Sequence, residues 1–248
     1  LLYDSFEDKA QYLSGLFRST YLKDIIERNK IEREDVLDEL TDVLCSATGS
    51  LTNISNLANA INSRKHAKAE NIVSENTVKA YTEYMQEAFL FSRARRYDIR
   101  GKAYFESQSK YYAIDTGLRN ARLGFRQIEE THLMENVIYN YLIQQGFLVD
   151  VGMVEKYQKD KDGKRRREQY EIDFVVNKGM YQYYIQSAFT LDSKEKAQRE
   201  LYPFSIVGNS FKKLVVTRSE LIPHYDENGI IHVGIVDFLL GDYLADRL

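Results

Sequence analysis

The chain has 248 residues and a net charge of −3, enough for two domains of ordinary size but without a global basic field to draw nucleic acid. Hydrophobic residues at 44% and charged residues at 29% are globular proportions, which exclude a disordered or fibrous chain. The lone cysteine, Cys45, excludes an internal disulfide and a multi-cysteine zinc site, and it suits a reducing compartment.

No apolar run reaches the roughly 20 residues of a membrane span, and no secretory signal is present, so a cytoplasmic location without membrane contact is expected. No Gly-x-x-x-x-Gly-Lys-Ser/Thr occurs, so nucleotide binding of the P-loop kind is not expected in these residues. The sequence starts Leu-Leu-Tyr-Asp rather than with Met, as a fragment or processed form would.

Phe6, Tyr12, Leu13, Leu16 and Phe17, then Tyr21, Leu22, Ile25 and Ile26, recur at helical spacing and predict a helix over 5–29. It is too short to bury both apolar faces alone and is expected to pack on something outside this chain. Val36, Leu37, Leu40, Val43 and Leu44 mark a helix over 33–47, ended by Gly49. Asn53 or Ser55 caps a short helix holding Ile54, Leu57, Ala58 and Ile61. Ser74 caps a third, 75–87, whose buried side is Val78, Tyr81, Met85 and Phe89. Strand, turn and strand follow over 89–97, 98–102 and 103–114.

Three helices and a hairpin make the winged-helix arrangement, with 75–87 as the recognition helix. Its solvent side offers Asn76, Thr77, Lys79 and Ala80; the hairpin offers Arg93, Arg95, Arg96, Arg100 and Lys102. These cations suit phosphate contacts. They equally suit a solvated, edge-blunted hairpin.

A connector over 119–130 leads to a second domain, 131–248. Leu133, Met134, Val137, Ile138, Tyr141 and Leu142 define its opening helix, 131–145. A strand spans 147–158, and 159–167 reads as a polar turn carrying Lys164, Arg165, Arg166 and Arg167. Two strands lie within 170–189. In the first, Ile172, Phe174 and Val176 are expected on one face and Glu171 and Asp173 on the other; in the second, Tyr184, Gln186 and Ala188 share a face. Asp192 or Ser193 caps a helix to about Leu201, ahead of Pro203. Strands over 211–217 and 230–236 and a helix over 237–244 complete the chain. The class is α+β/α/β, with a mixed sheet in the second domain. His66, His132, His224 and His232 lack metal-ligand spacing and are expected to be structural or solvated.

This order, with Glu135 on the first helix and Asp173 on a central strand, resembles the restriction-endonuclease-like fold and its PD-(D/E)xK motif. Residues 133–142 (Leu-Met-Glu-Asn-Val-Ile-Tyr-Asn-Tyr-Leu), 171–174, 184–186, 110–119 and 21–25 are similar to the prokaryotic AAA-type ATPases that carry a C-terminal nuclease-like domain of unknown function. The resemblance implies an ATPase module before Leu1, with 1–32 as its helical tail, 33–118 as the winged helix and 131–248 as a restriction-endonuclease-like αβββαβ domain. ATP would bind only in that upstream module, which would be a partner of this region.

In the nuclease superfamily an Asp and a Glu or Gln hold the metal and a Lys two residues on acts on water or phosphate. Asp173 and Gln186 match the first two, Ala188 stands at the Lys position, and Glu171 adds an oxygen beside Asp173. The motif leaves Mg²⁺ as a ligand for Asp173, Glu171 and Gln186, with Lys194 and Lys196 the nearest following cations. Loss of the cation removes on the order of 10²–10³ in rate. The leading expectation is a non-catalytic nucleic-acid-binding or regulatory module with a degenerate nuclease-like site (Glu135, Asp173, Gln186). The alternatives are a Mg²⁺- or Mn²⁺-dependent nuclease cutting DNA or RNA, and an interaction module that docks the ATPase domain or a second copy through residues 5–29.

Overall fold

The computed structural model describes residues 4–64, 71–126, 128–159, 165–208 and 211–244. Contacts divide the chain into two units, Leu1–Arg93 with Ser107–Asn136, and Ala94–Glu106 with Val137–Leu248. The outer part of the hairpin, assigned above to the winged helix, groups by contacts with the second unit.

In the first unit, α1 (Phe6–Leu16) starts at Ser5, whose hydroxyl accepts from the Asp8 amide. The helix predicted over 5–29 continues as a π-helical turn, Phe17–Leu22, and then α2, Lys23–Asn29. Its partner lies within the unit. Phe17, Leu22 and Ile25 are core residues, Leu13 and Leu16 pack on that core, and α1 touches α6 (Thr116–Arg122). That last helix occupies part of the predicted connector. Asp115 nucleates it by accepting from the Leu118 amide at 2.8 Å.

Helices α3 (Glu34–Ser46), α4 (Ile54–Arg64) and α5 (Glu75–Glu87) touch one another pairwise. Asn53 and Ser74 cap the second and third, as their side-chain oxygens accept from Asn56 and Thr77 amides. Val36, Leu40, Leu44, Leu57, Ile61, Val78 and Met85 form the shared core. Phe89 corrects the pattern above. It lies beyond the last turn of α5 with φ +56° and is 75% exposed, because the helical period stops at Glu87. The hairpin is β1 (Phe91–Asp98) and β2 (Ala103–Ala113), and Thr52 bridges to Ser109 of β2.

In the second unit the elements are the later part of α7 (Glu130–Gln144), β3 (Leu148–Lys159), β4 (Arg165–Lys178), β5 (Tyr181–Ser187), α8 (Lys194–Ile206), β6 (Lys212–Thr217), β7 (His224–Tyr225), β8 (Ile231–Gly234) and α9 (Ile235–Leu240). The mixed sheet runs β2-β1-β3-β4-β5-β6-β8-β7. β3, β4 and β5 are antiparallel neighbours, while β1 joins β3, and β6 joins both β5 and β8, in parallel. Phe204 of α8 packs with Ile172, Val175, Tyr184 and Val215. Tyr139 and Tyr141 of α7 meet Phe174 and Phe238. Apolar side chains on both sides of the strands explain their continuous hydrophobic runs.

Three expectations are corrected here. The predicted polar turn 159–167 is largely strand, since Lys159 pairs with Arg165 and the ladder continues through Arg167. α8 does not stop ahead of Pro203 but carries it inside, with Pro203 and Phe204 buried. The proline removes one helical donor, and burial of this turn outweighs that loss. The strict alternation expected in β4 also fails. Asp150 pairs with Val175 but Gly152 pairs with Ile172, so an extra β4 residue bulges opposite Val151. Ile172 and Val175 therefore share the α8 side, while the Phe174 ring meets Tyr139. Gly152 faces this bulge. A Cβ there would lie 2.7 Å from Val175 Cγ2 and 3.0 Å from Ile172 Cβ.

Candidate functional site

Glu135 belongs by contacts to the first unit, and Asp173 and Gln186 to the second. Glu135 is 8% exposed. Its Oε1 accepts from Lys110 Nζ at 2.8 Å and from Tyr112 OH at 2.7 Å. Alternation along β2 places Lys110 and Tyr112 on one face, so one strand supplies both donors. The adjacent Asn136 side chain pairs with both backbone groups of Ala113, at 2.8 and 3.0 Å. These contacts fasten α7 to β2 within the first unit. They also compensate the buried carboxylate charge.

Asp173 sits at the β4 bulge, 7% exposed, like Gln186. Its Oδ2 accepts from the Ser187 amide at 2.8 Å. Gln186 Oε1 lies 3.4 Å from the Asp173 amide. The two side chains thus carry on the β4–β5 ladder where regular pairing stops at Phe174–Ile185. Glu171, opposite Met153, supports the charge of Arg96. Ala188 is buried among Ile172, Tyr184 and Phe204.

A divalent metal of the Mg²⁺ kind needs several hard oxygens free to turn toward one point. Here Asp173 is engaged with a backbone amide, Gln186 contributes a neutral amide aimed at the strand, and no cluster of three His, Cys, Asp or Glu among the described residues is arranged to hold a metal ion. The donor set does not fit Mg²⁺. Lys196 turns back to the residues before its helix, bonding Thr190 and pairing with Asp192 at 3.5 Å, and Lys194 is an exposed first residue of α8.

The hairpin cations are mostly engaged inside their own units. Arg93 Nε donates to Ser109 Oγ at 2.8 Å. Arg95 lies 3.9 Å from Asp150 and over the Tyr104 ring. Burial pushes Asp150 above the usual carboxylate range, against the opposing pull of the Tyr104 hydroxyl and Arg95. Arg96 donates to Gln169 at 3.3 Å, and burial lowers its affinity for a proton. Arg100 spans two carbonyls, Glu155 at 3.1 Å and Ile206 at 2.9 Å. Lys102 is exposed at the turn. On α5, Lys79 is exposed beside Glu75, Asn76, Glu83 and Glu87, three carboxylates to one ammonium on that face.

The β3–β4 arm is different. Six pairs, from Val154–Tyr170 to Lys159–Arg165, extend past the last β1 pairing at Met153 and the first β5 pairing at Phe174. The strand rise gives this ribbon a reach of roughly 16–20 Å. Its base is braced by α8, where Tyr170 meets Tyr202 at 4.9 Å and Lys156 bonds the Tyr202 hydroxyl. Toward the tip, Tyr157 is 63% exposed, Arg166 is exposed, and Arg167 pairs with Glu155 while its side chain stays half exposed. Lys164 lies outside the described residues, as does the side chain of Arg165.

A model for a domain of unknown function, DUF8612, matches residues 2–129, more than half of the chain. The chain belongs to the DUF8612 family. The DUF8612 match covers α1 to α6 and the hairpin, and ends just before α7. An uncharacterized protein of Haemophilus influenzae is 30% identical to this DUF8612 chain over 232 residues, which is 94% of this chain and 52% of the relative. The uncharacterized protein MJ1544 of Methanocaldococcus jannaschii is 25% identical over 228 residues, 92% of this chain and 46% of the relative. The chain thus spans about half the length of the curated relatives it matches. Protein VC1899 from Vibrio cholerae, a crystal structure, aligns over 96% of this chain and 55% of its own at 10% identity, with a TM-score of 0.30, too low to define a shared fold. No helix among the described residues is long and apolar enough to cross a membrane.

Sequence reasoning missed Lys110 and Tyr112 as the partners of Glu135. The signal was a lysine and a tyrosine two apart on one strand, a spacing that puts both on the same face. It also missed Lys213, a lysine at the start of the apolar strand β6, 5% exposed.

Proposed function

We propose that this region is a non-catalytic nucleic-acid-binding module whose contact element is the β3–β4 ribbon. The observation that carries this reading is the ribbon itself. It is a two-stranded arm beyond the neighbouring strands, with Arg166 and Arg167 across from Tyr157 and Gln158. A two-stranded ribbon fits a duplex major groove, and arginines beside an exposed aromatic suit phosphates and bases. Arg167 is paired with Glu155 much as the hairpin arginines are paired with their own partners. What favours the ribbon is therefore Arg166 and the arm's reach beyond its neighbouring strands, while the exposed face of α5 is acidic.

The finer architecture follows from the resemblance. The first unit is read as a winged helix, which the mutual packing of α3, α4 and α5, the Thr52–Ser109 bridge and the hairpin support. The second is read as restriction-endonuclease-like, supported by the order α7-β3-β4-β5-α8-β6 with Asp173 and Gln186 on adjacent strands. In this reading Asp173 and Gln186 in the second unit, and Glu135 in the first, match the nuclease motif in sequence while each serves as a structural hydrogen-bonding group within its own unit. The whole protein is read as an AAA-type ATPase that uses this region to engage its target; relatives about twice as long leave room for such a module.

Fluorescence anisotropy with a duplex DNA and a single-stranded RNA, across a salt series, tests the reading. Binding should weaken steeply with salt, and Arg166→Glu with Arg167→Glu should lower the log–log salt slope by about 1 per residue. With Mg²⁺ or Mn²⁺ added, no cleavage above that of the Asp173→Asn variant is expected. Absence of binding to either nucleic acid at low salt refutes the module reading, and cleavage lost on Asp173→Asn refutes its non-catalytic part.

A further inference from the structure

The β3–β4 ribbon has two unlike faces. Residues paired across an antiparallel ladder point to the same side, and successive pairs alternate between sides. Val154 with Tyr170, and Lys156 with Glu168, therefore share one face. α8 covers that face, since the Tyr170 ring meets Tyr202 at 4.9 Å and Lys156 bonds the Tyr202 hydroxyl. Glu155 with Gln169, and Tyr157 with Arg167, lie on the opposite face. Polar contacts brace that face toward its base, where Gln169 Nε2 donates to Glu155 Oε1 at 3.1 Å and Arg96 donates to Gln169 at 3.3 Å.

Tyr157 lies beyond this braced row, 63% exposed on the face away from α8. The register puts Arg167 directly across from it. Arg167 pairs with Glu155 and stays half exposed, and one carboxylate takes up at most two of the five guanidinium donors. Between 155 and 168 the sequence carries seven Lys and Arg against four Asp and Glu, a positive stretch in a chain of net charge −3. An outward ring beside a guanidinium offers a π-face to a base and a cation to the adjoining phosphate. In a duplex both faces of each base are covered by its neighbours in the stack. Only an unpaired strand can readily turn a base onto a side chain.

We propose that the ribbon selects single-stranded nucleic acid, with one base stacked on Tyr157 and Arg167 at the neighbouring phosphate. The inference rests on the reading of the ribbon as the nucleic-acid contact, and it narrows the ligand to unpaired strands. Tyr157 sets the preference for strand over duplex, because its ring gains no stacking partner from a closed helix. The arginines supply an attraction that strand and duplex share.

The chain contains no Trp, so Tyr157→Trp introduces a sole tryptophan whose emission reports stacking directly. Oligothymidylate or oligouridylate should quench it, and the stronger of the two separates a DNA strand from an RNA strand. An abasic strand of equal length, which keeps the phosphates and lacks the bases, should not. In fluorescence anisotropy at fixed low salt, the full chain should bind these single strands more tightly than a duplex of equal length. Tyr157→Ala should weaken single-strand binding about tenfold and leave duplex binding and the salt slope as in the parent, while Tyr157→Phe stays within about twofold. The inference alone is overturned if duplex binds as tightly as single strand, if Tyr157→Ala binds single strands like the parent, or if Tyr157→Phe loses as much as Tyr157→Ala. It is equally overturned if the tryptophan is quenched by neither base-bearing strand, or as strongly by the abasic one. Absence of binding to any nucleic acid at low salt overturns both this inference and the module reading.

Discussion

Replacing Lys110 by Met separates a structural Glu135 from a catalytic one. The substitution keeps the bulk of the lysine stem but strips Glu135 of its ammonium 2.8 Å away, leaving a carboxylate that is 8% exposed with Tyr112 as its remaining donor in this pair of contacts. Removing one partner of a buried ion pair costs about 3–5 kcal/mol. For a unit of this size that lowers the melting temperature by on the order of 10–20 °C. Replacing both partners, Lys110→Met with Glu135→Leu, removes the stranded charge and should recover most of the loss, because apolar pairs of similar volume substitute well for buried ions. Urea denaturation at neutral pH, followed by far-ultraviolet circular dichroism, gives the four free energies of the double-mutant cycle. If Lys110→Met lies within about 1 kcal/mol of the parent, or the double variant is as unstable as the sum of the singles, Glu135 is not held as described.

Gly152→Ala should destabilise the second unit by about 1–3 kcal/mol, read in the same denaturation assay, because its Cβ meets Val175 and Ile172 across the bulge. Burial pushes the Cys45 thiol up to about 12, against the pull of Arg122 and Arg119. Native protein at pH 8 should therefore resist a disulfide reagent that reacts fully in urea. By linkage, the thiol's contribution to stability is present below the unfolded pKa near 8.5 and is lost as pH rises above it. Burial raises the Asp226 carboxyl, but the Ile230 amide, His232 and the Asn228 amide outweigh it and leave it below the usual range. Its contribution is thus present above pH of about 4 and lost as pH falls through the lower folded value. Asp226→Asn should cost about 1–2 kcal/mol at neutral pH and flatten the acid limb of the stability curve.

The helix starts were legible because caps act locally: Asn53, Ser74 and Ser193 each bond an amide three residues on. Residues 21–26 and 36–44 were legible as helix through apolar spacing. The β4 bulge was not, because it depends on what stands opposite, a glycine at 152 that admits both Ile172 and Val175. The cluster of charges at 164–167 read as a turn because polarity resembles loop composition. A two-stranded arm has little core to bury, so its strands lack the apolar alternation that marks the rest of the sheet. Asp173 and Gln186 were brought side by side as the pairing implied. The role of Glu135 needed the register of β2 against α7, which no local spacing encodes.

The most direct measurement is the salt dependence of nucleic-acid affinity for the parent and for the Arg166→Glu, Arg167→Glu variant, with duplex DNA and single-stranded RNA side by side. The ribbon reading expects a steep loss of affinity with salt in the parent and a slope shallower by about 2 in the variant. Equal slopes for the two proteins, or no binding by the parent at low salt, would contradict it.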